Sequence, residues 1–227
     1  MPFAQLDELR DAIRGYDFPA VTYGFLRGTE QRHSSLREVE ALVRQQLLSD
    51  NLDDVREGLS NVLYWGYGRM GRRDYKVATF RQKVTAEQLS RAQKLFRFLR
   101  GAALVDLKRL GLPEFSQMSF ISKVRMFLDP AQFVTLDLKL ASLRHEATET
   151  VLHKLRVYET YIPITKDNER VYQDFAALCI HGATRFPEVD DVRAVDVERG
   201  LFNLIDCGRR SDAARLLGKL GAAGVHT

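Results

Sequence analysis

Between positions 69 and 109 the chain carries twelve lysine or arginine residues against Asp74, Glu87 and Asp106, a local charge of +9 in a protein of net charge +4. Side chains of this kind neutralise phosphate oxygens. A basic segment inside an otherwise slightly acidic chain is the electrostatic footprint of a polyanion binder. Arg91, Lys94, Arg97 and Arg100 recur every third residue, the spacing that gathers side chains on one helix face. That face is the surface best suited to phosphates, and Arg69, Arg72, Arg73 and Lys76 extend the charge ahead of it.

The other reactive side chains do not combine into a site. Cys179 and Cys207 are the only cysteines, too few for a four-thiolate cluster. Cys179-x-His181 would set its ligands about 200° apart on a helix, and no CxxC or HExxH spacing occurs, so no metal is expected. His33, His145, His153, His181 and His226 form no local constellation, and no Ser-His-Asp set follows from spacing. Gly66-x-Gly68 and Gly71 follow a helical pattern rather than a strand, which removes the dinucleotide and P-loop readings and leaves no cofactor expected. Asp196 and Glu198, two residues apart on a helix, point in different directions and suit structural salt bridges.

The scaffold that must position these residues reads as helical throughout. Leu6, Leu9 and Ile13 mark a first helix; Val39, Leu42, Val43 and Leu47 mark a second behind a capping box of Ser34 or Ser35 with Glu38. The break at Ser49-Asp50-Asn51 starts a third, whose Val55, Leu59, Val62 and Leu63 lead into Tyr64-Trp65-Gly66-Tyr67. Residues 69–73 read as a loop. Thr85, with Gln88 three residues on, caps the basic helix, whose apolar stripe is Leu89, Ala92, Phe96 and Leu99. A short helix through Leu104, Leu107 and Leu110 meets a tight connection at 111–117. The next helix, 119–128, stops at Asp129-Pro130 because proline disfavours helix at the residue before it. Further helices are expected over 133–143, 151–158, 169–184, 195–205 and 213–220, with 161–165 extended. The expected class is all-α, a compact two-lobed helical domain. It is read as a single domain 1–227 with an N-terminal arm (1–30), a first helical lobe (31–100), a hairpin and candidate catalytic segment (101–145) and closing helices (146–227).

The stretch Phe115-Ser116-Gln117-Met118-Ser119-Phe120-Ile121-Ser122-Lys123-Val124, followed by Phe127-Leu128-Asp129-Pro130 and Phe133-Val134-Thr135-Leu136-Asp137, resembles the helix–hairpin–helix DNA glycosylases. Within them it is similar to the bacterial proteins described as like 8-oxoguanine DNA glycosylase. Tyr64-Trp65-Gly66-Tyr67 with Phe80 and the basic helix, and the run from Arg193 to Phe202, extend the resemblance over roughly residues 55–205. The hairpin is degenerate: where such proteins have Leu-Pro-Gly-Val-Gly, Glu114-Phe115-Ser116-Gln117 follow Leu112-Pro113, and Lys123 stands closer to Asp137 than in better-known members.

The resemblance implies a lysine at the start of the second hairpin helix that attacks the sugar carbon of a flipped, damaged nucleotide. It also implies an aspartate after the proline-containing turn that supports the developing sugar cation. These positions match Lys123 and Asp137. An amine forms a Schiff base with the opened sugar, and a carboxylate stabilises an oxocarbenium-like centre. Phe120, Trp65 and Tyr67 are candidates to stack on the flipped base, although Trp65 reads better as a core residue. Ser119 and Ser122 join the basic residues as candidate nucleic-acid contacts. The implied activity is excision of an oxidised purine from damaged duplex DNA, with Schiff-base lyase activity through Lys123. The alternatives are a non-catalytic nucleic-acid-binding protein that keeps the fold, and a helical module whose basic face meets an acidic protein.

With 45% hydrophobic residues in 227, the chain can bury a core without a metal or disulfide. Both cysteines lie in apolar helical stretches, which predicts buried, reduced thiols. No apolar run approaches the ~18 residues of a membrane span, and acids stand near the start where a signal peptide carries lysines. A cytoplasmic monomer without membrane contact is the expectation.

Overall fold

A computed structural model describes residues 3–98, 102–146 and 150–222. The class is all-α as expected: 64% helix against 4% strand. In chain order the elements are α1 (Phe3–Arg14), β1 (Val21–Gly24), β2 (Thr29–Arg32), α2 (Leu36–Leu47), α3 (Leu52–Gly66), α4 (Arg73–Lys83), α5 (Ala86–Phe98), α6 (Leu104–Arg109) and α7 (Met118–Leu128). They continue with α8 (Leu138–Ala141), 3-10 turns at Ser142–His145 and Val151–Lys154, α9 (Lys166–Ala183), a 3-10 turn at Glu188–Asp190, α10 (Ala194–Asp206) and α11 (Arg210–Ala222). Contacts sort the chain into two compact units, Phe18–Asp129 and Met1–Asp17 with Pro130–Thr227. The described residues include no helix long and apolar enough to cross a membrane.

In the unit Phe18–Asp129, α3 is central and touches α2, α4, α5, α7 and β1. Asn51 opens it by accepting from the Asp53 N–H at 2.9 Å, and Val55, Leu59, Val62 and Leu63 are fully buried along it. The helix starts read from sequence have their capping bonds. Glu38 N–H donates to Ser35 Oγ at 3.4 Å while the Glu38 carboxylate accepts from Ser34 N–H at 3.0 Å. Hydrogen bonds from Ser34 hold that carboxyl below its ordinary pKa. Thr85 and Gln88 form the reciprocal pair ahead of α5, at 3.0 and 3.1 Å. The far end of α7 is fixed by Arg44 of α2, whose Nε donates to the Leu128 carbonyl at 2.8 Å.

Two elements of this unit had no counterpart in the sequence reading. The antiparallel hairpin β1–β2, Val21↔Arg32 to Gly24↔Thr29, is too short for a clear alternation. It is held by Tyr23 N–H on Asn61 Oδ1 (2.7 Å) and Phe25 N–H on Glu57 Oε2 (3.2 Å). Helix α4 begins at Arg73, inside the expected loop, and buries only Val77 and Phe80, a stripe too sparse to announce it.

In the other unit, α10 packs on α1, α9 and α11. A Cβ on Gly200 would lie 2.9 Å from both Ile13 Cγ1 and Leu9 Cδ1, so glycine permits the close approach of α1 and α10. Arg193 grips Asp196 through Nε (2.9 Å), Nη2 (2.9 Å) and its own N–H (3.0 Å). Burial pushes the Asp196 pKa up, but Arg193 and the nearby Arg199 outweigh it and hold the carboxyl below its ordinary value. Asp196 thus serves the structural pairing expected of it.

Three expectations for this unit need correction. The helix expected over 133–143 begins only at Leu138, because Val134, Thr135 and Leu136 are buried in a non-helical run whose Val134 carbonyl accepts from Tyr172 Oη at 3.0 Å. The helix expected over 151–158 is a single 3-10 turn. The fully buried Asn168 side chain takes both backbone groups of Arg156, its Oδ1 accepting at 2.9 Å and its Nδ2 donating at 2.8 Å, so that backbone is not available to a helix. Cys207 is exposed, beyond the last turn of α10, rather than buried; Cys179 is fully buried, and burial pushes its thiol pKa up.

Asn168→Ala would also release the Pro163 carbonyl, which Nδ2 reaches at 2.8 Å. Leaving these buried groups unpaired should cost about 2–4 kcal/mol in urea unfolding; a loss under about 1 kcal/mol would contradict the role given to Asn168. A thiol reagent should label Cys207 alone in the native protein and Cys179 only after denaturation. Equal labelling rates would overturn that contrast.

Candidate nucleic-acid site

Lys123 is 6% exposed, an unusual placement for a lysine. Its side chain runs back along α7, where Nζ donates to the Ser119 carbonyl (3.3 Å) and Ser119 Oγ (3.2 Å), and Nζ stands 5.3 Å from the centroid of the Phe120 ring. The methylene stem lies against the end of α3. A Cβ on Gly66 would be 3.1 Å from Lys123 Cδ, 3.3 Å from Cε and 2.6 Å from Phe120 Cε1, so only glycine leaves room there. Lys123 is not at the start of its helix, as the resemblance implied. Gln117, in extended backbone, precedes the first helical residue Met118, whose fully buried side chain anchors that turn; Lys123 lies in the second turn and reaches the first only by folding back.

Phe120 stacks on Tyr67, with ring centroids 4.4 Å apart and planes tilted by 33°, and meets Phe115 edge-on at 6.4 Å. Tyr67 is half-buried; burial pushes its hydroxyl pKa up, opposed by Lys76 and reinforced by Glu114. Lys123, Phe120, Tyr67 and Ser119 therefore gather at one place with Gly66. Trp65 does not join them. It is 4% exposed and packs at 4.7 Å on Phe18 and 5.3 Å on Phe127, a core residue rather than part of a base pocket. Ser122 is fully buried and donates to the Ser119 carbonyl at 3.2 Å, so its hydroxyl faces inward instead of toward a nucleic acid.

The connection 110–117 between α6 and α7 carries two residues with left-handed backbone, Gly111 (φ 64°) and Glu114 (φ 67°). For a glutamate that conformation costs roughly 1–2 kcal/mol, which glycine would not incur. Leu112 and Phe115 are buried on either side, and Gln88 Nε2 of α5 donates to the Gly111 carbonyl at 2.6 Å. The Glu114 carboxylate binds Lys76 Nζ at 2.8 Å, and this bond raises the Lys76 pKa. Glu114 places a negative charge on this connection and engages Lys76, one of the cations expected to meet phosphate.

Several other cations of the basic segment serve the fold. The Arg73 guanidinium lies 3.9 Å from the centre of the Tyr64 ring and 3.5 Å from Glu30. Arg81, which the site reading omitted, binds Glu57 at 2.7 Å. Arg69 lies over Phe18 at 5.1 Å, and Arg97 pairs with Asp50. Arg91 donates to the Arg109 carbonyl at 3.3 Å. Arg72, Arg91 and Lys94 are exposed and make no ion pair among the described residues, so the exposed face of α5 does present cations. Arg100 lies outside the described residues. Asp137 belongs to the other unit, where its Oδ1 accepts from Leu140 N–H at 3.0 Å and caps α8.

Comparison with protein-family profiles, curated protein sequences and solved structures found no match.

Glu114→Gly would relax the left-handed backbone at the expense of a half-exposed ion pair worth at most about 1 kcal/mol. The variant should keep or gain stability in urea unfolding. A loss above about 1 kcal/mol in urea unfolding would show that the ion pair outweighs the strain.

Proposed function

We propose that this chain acts on DNA through Lys123, as a glycosylase that excises an oxidised purine of the 8-oxoguanine type, with lyase activity through a Schiff base. One observation carries the reading: a lysine that is only 6% exposed, whose amine Ser119 holds 5.3 Å from the centre of the Phe120 ring while Gly66 leaves room for its stem. A defined amine next to aromatic surface is what attack on a flipped nucleotide requires. In the proposed step the neutral amine forms a bond to the sugar C1′ as the C1′–N bond to the base breaks. The base leaves with the bonding pair and takes up the proton released by the amine. Ring opening, with a proton taken up by O4′, then gives the protonated imine. Water accepts the C2′ proton it acidifies, a C2′=C3′ double bond forms, and the 3′-phosphate leaves with the C3′–O bonding pair.

Tyr67, half-buried with Phe120 stacked on it, supplies an aromatic face for the base, and Arg72, Arg91 and Lys94 supply cations for the phosphate backbone. The resemblance assigns stabilisation of the sugar cation to Asp137. A second reading, DNA binding without cleavage, is favoured by Glu114, a carboxylate in the connection where the family resemblance implies a glycine-rich hairpin.

Incubation with duplex DNA containing 8-oxoguanine or an abasic site, followed by borohydride, separates the two. A trapped adduct with both substrates, lost in Lys123→Gln, is the expected result. Salt-sensitive binding without an adduct on either substrate would leave the non-catalytic reading and reject the lyase.

A further inference from the structure

The unit that contains α8–α11 has an open cleft of about 280 Å³ that no role above uses. Arg144 and His145, at the end of the 3-10 turn that follows α8, line it together with Leu138, Val157, Tyr158 and Glu159. Its aromatic element is exposed by construction. Residues 158–161 form a turn closed by Tyr158 N–H on the Tyr161 carbonyl at 2.9 Å, and the two tyrosine rings lie 5.0 Å apart at 36°. Tyr158 remains 59% exposed and Leu138 38% exposed, so a flat ring and an apolar wall face solvent at one place. The Asn168 clamp on Arg156 fixes the backbone that leads into this turn.

These groups describe a ligand with three parts. A planar ring would stack on Tyr158 and be covered by Leu138 and Val157. An anion would pair with the Arg144 guanidinium, with His145 beside it. An N–H or hydroxyl would donate to the Glu159 carboxylate. The volume falls just below the ~300–1,000 Å³ of sites for drug-sized ligands, which admits one base with its phosphate and not a longer segment.

We propose that this cleft binds one phosphorylated nucleotide unit, stacked on Tyr158 and held through its phosphate by Arg144. The unit comes either from a free mononucleotide or from a single strand, and only the second source rests on the nucleic-acid reading above. The cleft and the Lys123 site belong to different units, so each can be tested without the other.

The test uses the full chain and three probes: deoxyadenosine monophosphate, a fluorescent dA 12-mer, and a base-free deoxyribose-phosphate 12-mer. Amide shifts on adding the mononucleotide should cluster at 142–145 and 157–161. Tyr158→Ala and Arg144→Gln, both with an unchanged melting curve, should each weaken its binding by roughly five-fold or more. The dA 12-mer weakened by the same variants identifies a strand as the source; the mononucleotide alone weakened identifies a free nucleotide. Either result supports the cleft.

Absence of shifts around the cleft, or wild-type affinity for the mononucleotide in both variants, would overturn the proposal; equal binding of the base-free 12-mer would reject a strand as the source. Lys94→Gln separates the two readings. If it weakens the dA 12-mer while Tyr158→Ala does not and the mononucleotide does not bind, the cleft proposal fails and nucleic-acid binding stands. If the mononucleotide binds the cleft and neither 12-mer binds the protein, the cleft stands and the nucleic-acid reading falls.

Discussion

The candidate site depends on a contact with no space in it. At Gly66 the end of α3 meets the Lys123 stem and the Phe120 ring so closely that one added carbon would stand 2.6 Å from the ring. That contact keeps the lysine methylenes along α7 and returns the amine to Ser119 rather than to solvent. It also presses Phe120 onto Tyr67, the residue that follows Gly66. The rest of the unit holds the two helices at this approach: the fully buried face of α3, the capping of α3 by Asn51, and Arg44 on the last carbonyl of α7. The placement of Lys123 is therefore a property of core packing, which is why a residue type that normally faces water sits at 6% exposure.

Charge behaves differently in the folded chain than in the sequence. Twelve cations over 69–109 look like one footprint, but folding gives several of them internal partners. Arg73 and Arg81 hold aromatic rings and carboxylates, Lys76 holds Glu114, and Arg97 holds Asp50. The exposed cations without an ion pair among the described residues are a narrower set that includes Arg72, Lys83, Arg91 and Lys94. Glu114 adds a local conflict, because a glutamate in left-handed backbone pairs with a cation of the same segment.

Much of the fold was legible because it rests on periodicity and caps. The Thr85/Gln88 box, the Asn51 start of α3 and the stop at Asp129-Pro130 are local signals, and each stands where the residues put it. The misreadings come from partners distant in sequence. Asn168 takes the backbone of Arg156 and prevents a helix there, and Tyr172 anchors the run before α8. Nothing within either segment encodes those partners. In the site, the structure brings Phe120 and Tyr67 together but leaves Trp65 in the core, and Ser122 faces inward, on a side of α7 that helix phase alone does not identify as buried. Glu114 carried a readable signal, an acid where the hairpin calls for glycine, but its ion pair with Lys76 spans 38 residues and needed the structure.

Lys123 is one amine among several lysines in the chain. Peptide mapping by tandem mass spectrometry, after borohydride reduction of the protein with abasic duplex DNA, reads which lysine carries the sugar. A deoxyribose adduct confined to Lys123 is the predicted result. An adduct on exposed lysines such as Lys94, with Lys123 unmodified, would contradict the account.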